Sequence, residues 1–363
     1  MGLVRKIGKL MKIHVNALAF MGFALTGSSS GIAGEAFFDA AKYHHTADGF
    51  RNPPGSPDRD VKPLRFIKFI YGRLTEEPGP EILPEGHLVP RAEALAAASA
   101  APNPSLTWIG HASFLIRIGG LNILTDPFFS ERASPTSLFG PKRYAPPGLG
   151  LKDLPKIDVI VISHNHYDSF DAPALEQLAK DHPKARVLVP LGLAEPVGEA
   201  GFTNVRQMDW YETDRVGGVS FQATPAIHRS NRGLFDINKS LWAGFVISGG
   251  KRRLWFAGDT GIGPIYEKQV APRVGPVDIA LVPIGAFLPR DFMAPVHTSP
   301  EEALEIARIM GARTAIGMHW GTLPLGEDSP KLGKQRFLAA PAAGIEKILM
   351  RIGETRGLGD AAN

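Results

Sequence analysis

The sequence predicts an α+β fold, and three observations predict it. Short apolar runs closed by polar or glycine-rich sequence recur along the chain, as in Val159-Ile160-Val161-Ile162. Runs this short and this apolar read as strands buried on both faces. Stretches with helical spacing of apolar residues fall between them, near residues 172–181, 194–200, 300–310 and 331–339. Gly and Pro are abundant, at 40 and 31 of 363 residues, which implies many loops between the elements. Periodicity alone goes no further than mixed α and β.

Taken in order, residues 1–33 read as a signal peptide or membrane anchor. Arg5, Lys6, Lys9 and Lys12 precede an apolar stretch from Val15 to Leu25, and small residues follow through Ala33. That is the three-part pattern of a secretory signal, with cleavage after Ala33 or Ala36. The competing reading is an uncleaved anchor, because Val15 to Gly34 carries no charge and a span needs about 20 apolar residues. Either reading implies an exported, periplasmic or membrane-associated protein.

Residues 34–105 form a Pro-rich lead-in. Within it Leu64 to Tyr71 is apolar and basic together, and on a helix Ile67, Ile70, Tyr71 and Leu74 share a face. Such a face either packs on the domain or lies on a membrane surface.

Residues 106–350 form the main domain. Leu106 to Ile118 and Leu121 to Thr125 read as strands joined by a tight hairpin at Gly119-Gly120. Further strands are expected at Val159–Ile162, Val187–Val189, Val219–Ala223, Ser240–Ile247, Arg253–Ala257, Ile279–Pro283 and Thr314–Met318. Ser299-Pro300-Glu301-Glu302 is a capping box with Pro at the first helical position, so a helix starts there. Residues 351–363 form a tail, with no packing signal from about Arg356.

The formal charge of +4 lies in the four cations of the first 12 residues, and the body that follows is formally neutral. A neutral body lacks the basic footprint that nucleic acid demands. An apolar content of 44% suffices for a substantial core. There is no Cys, hence no disulfide and no lipidated thiol.

The run His164-Asn165-His166-Tyr167-Asp168 follows directly on the expected strand Val159–Ile162. Two imidazoles and a carboxylate in one short loop suit zinc, with iron and manganese as alternatives. The plain alternative is a pair of surface histidines in a turn. Three more ligand-type residues stand at or just past apolar runs: His228, Asp259 and His319. Their recurrence in a chain with 11 His favours a metal site. His111 and Asp126 stand either as structural residues or as hydrogen-bonding partners behind metal ligands. The pair His44-His45 lies far upstream and reads as structural.

The order HxHxD, a lone His, an Asp in Ala257-Gly258-Asp259-Thr260-Gly261 and a late His resembles the metallo-β-lactamase superfamily. Longer motifs narrow the likeness. Thr107-Trp108-Ile109-Gly110-His111-Ala112-Ser113, Leu124-Thr125-Asp126-Pro127, Gly140-Pro141-Lys142-Arg143-Tyr144, Pro283-Ile284-Gly285-Ala286 and His319-Trp320-Gly321-Thr322 resemble the N-acylphosphatidylethanolamine-hydrolysing phospholipase D family. The resemblance covers about residues 40 to 350.

It implies a four-layer αββα sandwich holding one or two zinc ions. His164, His166 and His228 would hold the first ion, Asp168 and His319 the second, and Asp259 would bridge both. Tyr167 and His297 match positions that touch substrate. The family places another ligand His directly after the Asp of HxHxD, and here that position is Ser169, a much poorer ligand. The implied activity is that of a phosphodiesterase of phospholipase D type on N-acylphosphatidylethanolamine-like lipids. A metal-bound hydroxide would attack phosphorus, with Asp168 and Asp259 as catalytic residues orienting the water. Two alternatives stand beside it: a lactonase or β-lactam hydrolase of the same fold, and a metal-binding protein without turnover, which Ser169 would explain.

Overall fold

The computed structural model describes residues 37–58, 62–75, 82–233 and 235–359. The expected signal peptide or anchor, residues 1–33, lies outside the described residues. No helix among them is long and apolar enough to cross a membrane.

Alternation along the strands builds the architecture. In β6 (Val159–Val161), Val159 and Val161 join a large core cluster with Trp108, Phe114, Phe221 and Phe256. Ile160 and Ile162 face the other way, into a cluster with Leu175 and Leu178 of α3 (Ala172–Asp181). Both faces of the strand are therefore apolar, which is why it reads as an unbroken run. The first cluster fills the space between two sheets, and helices cover the outer faces. Truncating a fully buried side chain there, such as Trp108, Phe221 or Trp255, should cost about 3–5 kcal/mol.

Each sheet has seven strands. The first runs β16 (Thr355–Gly357), β3 (Ser105–Gly110), β4 (Ser113–Ile118), β5 (Leu121–Thr125), β6, β7 (Arg186–Pro190) and β8 (Val205–Met208). The second runs β15 (Glu346–Ile348), β14 (Thr314–Met318), β13 (Ile279–Pro283), β12 (Arg252–Phe256), β11 (Gly244–Gly249), β10 (Val219–Thr224) and β9 (Thr213–Val216). Each is antiparallel at one end and parallel at the other. α7 (Pro300–Ile309) packs on β13 and β14, and its capping box forms as expected: Glu302 N–H donates to Ser299 Oγ, and Ser299 N–H to Glu302 Oε2. The short helices α4 (Ala194–Glu199), α5 (Ala271–Val274) and α6 (Arg290–Met293) and the longer α8 (Pro330–Ala339) follow the same chain order.

The lead-in holds a two-stranded hairpin of β1 (His45–Thr46) and β2 (Gly49–Phe50), then α1 (Pro63–Thr75) and α2 (Arg91–Ala100). α1 packs through Phe66 and Phe69, whose rings lie 5.7 and 4.9 Å from that of Phe292. The expected face of Ile67, Ile70 and Tyr71 is instead exposed.

Three expectations are corrected. The strand expected from Leu106 to Ile118 is two strands, broken at His111 and Ala112, where His111 takes φ 56°. Both arms are buried, and no Pro, Asn or Asp marks the turn. The strand expected from Ser240 begins at Gly244; Ala243 N–H donates to Ser163 O and ties that segment to the loop after β6. The tail is packed at its start: Thr355–Gly357 pairs with β3, and Ile352 is fully buried.

Candidate metal centre

The loop after β6 is positioned by its parallel neighbour. Asp126, just past β5, accepts Ser163 N–H at 2.7 Å and Ser163 Oγ–H at 2.5 Å. With its proton on Asp126, the Ser163 oxygen accepts His164 Nδ1–H at 2.8 Å. The other two imidazoles are anchored alike. His228 Nδ1–H donates to Val296 O at 2.8 Å, and His166 Nε2–H to Asn231 Oδ1 at 3.2 Å.

These anchors fix the tautomers. The remaining nitrogens are His164 Nε2, His166 Nδ1 and His228 Nε2, and all carry lone pairs. They converge: His166 Nδ1 is 2.9 Å from His164 Nε2 and 3.2 Å from His228 Nε2. Burial lowers all three imidazoles below their ordinary pKa, so they stand neutral. Three facing lone pairs with no proton between them fit a cation. Burial pushes the Asp126 carboxyl up to about 8, against the Ser163 hydrogen bonds; a cation on His164 would oppose that shift.

Asp259 stands beyond β12. Gly258, at φ 61°, lets this loop approach the first, because a Cβ there would meet Ser163 Cβ at 2.8 Å. Asp259 Oδ2 lies 3.7 Å from His164 Nε2, 3.8 Å from His228 Nε2 and 3.0 Å from His319 Nε2. Both carboxylate oxygens are buried and neither completes a hydrogen bond. His319 gives this carboxylate one ion-pair neighbour, and a buried carboxylate leaves further room for a cation on the side of His164 and His228.

A second group adjoins the first. His319 follows β14 at φ 60°, and its Nε2 is 3.3 Å from Asp168 Oδ2. His111 Nε2 is 2.8 Å from that same oxygen. Against burial, the Asp259 and Asp168 carboxylates push His319 up to about 10, while burial pushes His111 down to about 4. Burial would raise Asp168 and Asp259, but the neighbouring imidazoles hold both well below the usual carboxylate range. His297 completes the cluster. Its ring lies 5.2 Å from His228 and 5.1 Å from His319, and its buried Nδ1 completes no hydrogen bond.

The structure thus brings together His164, His166, Asp168, His228, Asp259, His297 and His319. Tyr167 stands aside: its hydroxyl donates to Arg232 O at 3.0 Å, and Arg232 Cζ sits 4.0 Å over its ring. Ser169 is fully buried and close enough to Asp126 to favour its charged form, though its hydroxyl completes no hydrogen bond. His44 and His45 lie elsewhere, on Asp209. Asn231 was not foreseen, because a lone Asn in a loop carries no pattern. His111 was noticed for its motif, but its place beside Asp168 follows from the turn that sequence missed.

A family model described as the β-lactamase superfamily domain matches residues 121–320. The chain belongs to the β-lactamase superfamily and has the metallo-β-lactamase fold. It is 41% identical over 229 residues to N-acyl-phosphatidylethanolamine-hydrolyzing phospholipase D 1 of Caenorhabditis elegans, across 61% of this chain and 64% of that protein. The match thus spans under two thirds of the worm protein's length. A metal-dependent hydrolase of Pyrobaculum islandicum is 28% identical over 254 residues, across 69% of this chain and 98% of that one. Among solved structures, isothiocyanate hydrolase from Delia radicum gut bacteria superposes with a TM-score of 0.55 at 19% identity, across 70% of this chain and 99% of that one. That likeness bears on the fold alone. The donor set of imidazoles and carboxylates fits the metal that this superfamily implies.

Proposed function

We propose that this chain is a metal-dependent phosphodiesterase that hydrolyses N-acylphosphatidylethanolamine-like lipids, with zinc as the native metal. One observation carries the reading: Asp259, ion-paired with His319, lies between the three-imidazole group and the pair of His319 and Asp168. His164, His166 and His228 would hold one ion, and Asp168 and His319 a second, with Asp259 shared. A bound metal supplies water with a pKa lowered from about 15.7 toward roughly 7, and positive charge for the phosphoryl oxygens.

The chain's own residues do the rest. Asp168 and Asp259 orient the attacking water. Ser163, Asn231 and the Val296 carbonyl keep the three imidazoles in their ligand tautomers. His297, whose buried Nδ1 completes no hydrogen bond, can hold a phosphoryl or leaving oxygen. The bond formed joins water oxygen to phosphorus; the bond broken joins phosphorus to the ethanolamine oxygen, which leaves with a proton. The products are phosphatidate and an N-acylethanolamine.

The phospholipid substrate class is supported by likeness to the worm phospholipase. A lipid surface is supported by exposed Leu64, Ile67 and Tyr71 on α1, beside Arg65 and Lys68, and by exposed Phe235 and Ile237 in the segment that Arg232 ties to Tyr167.

The test is hydrolysis of N-acylphosphatidylethanolamine in mixed vesicles, in water enriched in oxygen-18, with and without chelator. Zinc-restored release of N-acylethanolamine, with the label in phosphatidate, supports the proposal. Label in the alcohol, or turnover indifferent to chelator, would overturn it.

A further inference from the structure

We propose that His111 completes the second metal position in this chain, supplying the imidazole that Ser169 does not. The inference rests on the two-metal reading above and concerns which residues make the second position.

Two independent features place His111 there. The first is the donor geometry. His111, Asp168 and His319 each offer a ligand atom, and these atoms lie within 4.8 Å of one another; a metal there would take the place of the proton that His111 Nε2 gives Asp168 Oδ2 at 2.8 Å. The three residues are buried. Two imidazoles and a carboxylate form a complete protein donor set for zinc with one position left over, which a shared Asp259 or a water can take.

The second feature is the backbone. His111 occupies the β3–β4 turn in the left-handed region, at φ 56°, which costs a non-glycine residue about 1–2 kcal/mol. The turn is locked onto the other ligand's segment. His319 N–H donates to His111 O at 3.1 Å, and His111 N–H donates to Thr322 Oγ1 at 2.8 Å. Trp108 Nε1–H adds a bond to the same His111 carbonyl at 2.9 Å. His111 and His319 therefore move as one unit, with ring centroids 4.0 Å apart. His tolerates the left-handed region better than most residues, and here that backbone aims the locked imidazole at the ligand carboxylate Asp168.

The residue directly after Asp168 brings no imidazole to this position. Ser169 is buried against the Asp126 side of the loop and contributes only a hydroxyl. Its N–H donates to His166 O at 3.1 Å, so the backbone of the loop keeps its course without the imidazole. The imidazole that reaches Asp168 arrives from the β3–β4 turn.

The test is a cobalt(II) titration of the metal-free full chain, followed by visible absorption and by elemental analysis after gel filtration. The wild type should bind two equivalents. His111→Asn tolerates the left-handed backbone and lacks the reach of Nε2. It should keep the first equivalent and bind the second at least about 100-fold more weakly, a larger loss than an outer partner causes. The double variant His111→Asn/Ser169→His should recover the second equivalent.

Two equivalents of unchanged affinity in His111→Asn would overturn the proposal, as would loss of both equivalents without recovery in the double variant. A wild type that binds one equivalent, lost in His228→Ala but not in His111→Asn, would overturn it too and leave a mononuclear hydrolase standing. A wild type that binds none would remove the hydrolase reading as well.

Discussion

Asp259 Oδ2 lies 3.0 Å from His319 Nε2 and is the one carboxylate oxygen also placed near His164 and His228, at 3.7 and 3.8 Å. Through it the two ligand groups become one site. Asp259→Asn removes the charge while keeping size and shape. Turnover should fall at least about 100-fold, and bound metal should fall with it, because a shared ligand matters at least as much as the outer partners whose loss costs about 10–100-fold. Elemental analysis beside initial rates checks both. Full metal content with full activity would remove Asp259 from the site.

Ser163 acts one step back. It accepts His164 Nδ1–H while donating to Asp126, so it selects the tautomer that leaves Nε2 free. Ser163→Ala should lower affinity for the first metal equivalent by about 10–100-fold and, by stripping Asp126 and His164 of a buried partner, cost the metal-free protein about 1–3 kcal/mol. Competition against a chromophoric chelator measures the first quantity, and urea unfolding the second.

The ligand loop was legible because its chemistry is local. HxHxD puts three donors in one turn after an apolar run, and residues past strand ends find each other whenever those strands share an edge. Much of the sheet core was legible for a related reason: strands such as Ile279–Pro283 and Thr314–Met318 are buried on both faces and show as apolar runs. Strands at or near the sheet edges escaped. Thr213–Val216 and Glu346–Ile348 are half-exposed and polar, so they carry no run. The β3–β4 turn escaped because both its arms are buried and it carries no Pro, Asn or Asp to mark it. That turn hid the approach of His111 to Asp168, which depends on residues 57 positions apart.

His87 supplies a pH dependence. Its Nε2–H donates to Gly321 O at 3.1 Å, and its ring lies 4.5 Å from that of Trp320. Burial pushes its pKa down to about 4 from the ordinary 6.5. The unfolded chain binds this proton at a higher pH than the folded one, so stability is full above about 6.5 and is lost as pH falls toward 4. The loss approaches about 3 kcal/mol. His87→Gln, whose amide can still donate to Gly321, should flatten the acid limb by that order. Urea unfolding of metal-free protein at pH 7, 5.5 and 4.5 gives the comparison; parallel acid limbs would exclude His87 as a cause.

Asp209 tests whether a cluster of ligand-type residues makes a metal site. Like Asp259 it is buried among histidines, yet its surroundings differ in the respect that matters. His44 Nε2 lies 2.7 Å from one oxygen and His45 Nε2 3.0 Å from the other. Lys42 Nζ donates at 2.7 Å and Trp210 N–H at 2.7 Å, so both oxygens are occupied. Burial works to raise this carboxyl, but the bonds from His44 and Lys42 hold it below its ordinary range. Each oxygen of Asp209 thus has two partners within 3.0 Å, whereas among the described residues Asp259 has only His319 within that distance. The cluster therefore acts as a clamp that ties the lead-in to the start of the second sheet. Asp209→Ala should leave metal content unchanged and cost about 3–5 kcal/mol in urea unfolding, the scale for stripping one partner from a buried charged group. A lost metal equivalent with little change in stability would make it a third metal position instead, and the contrast with Asp259 would no longer hold.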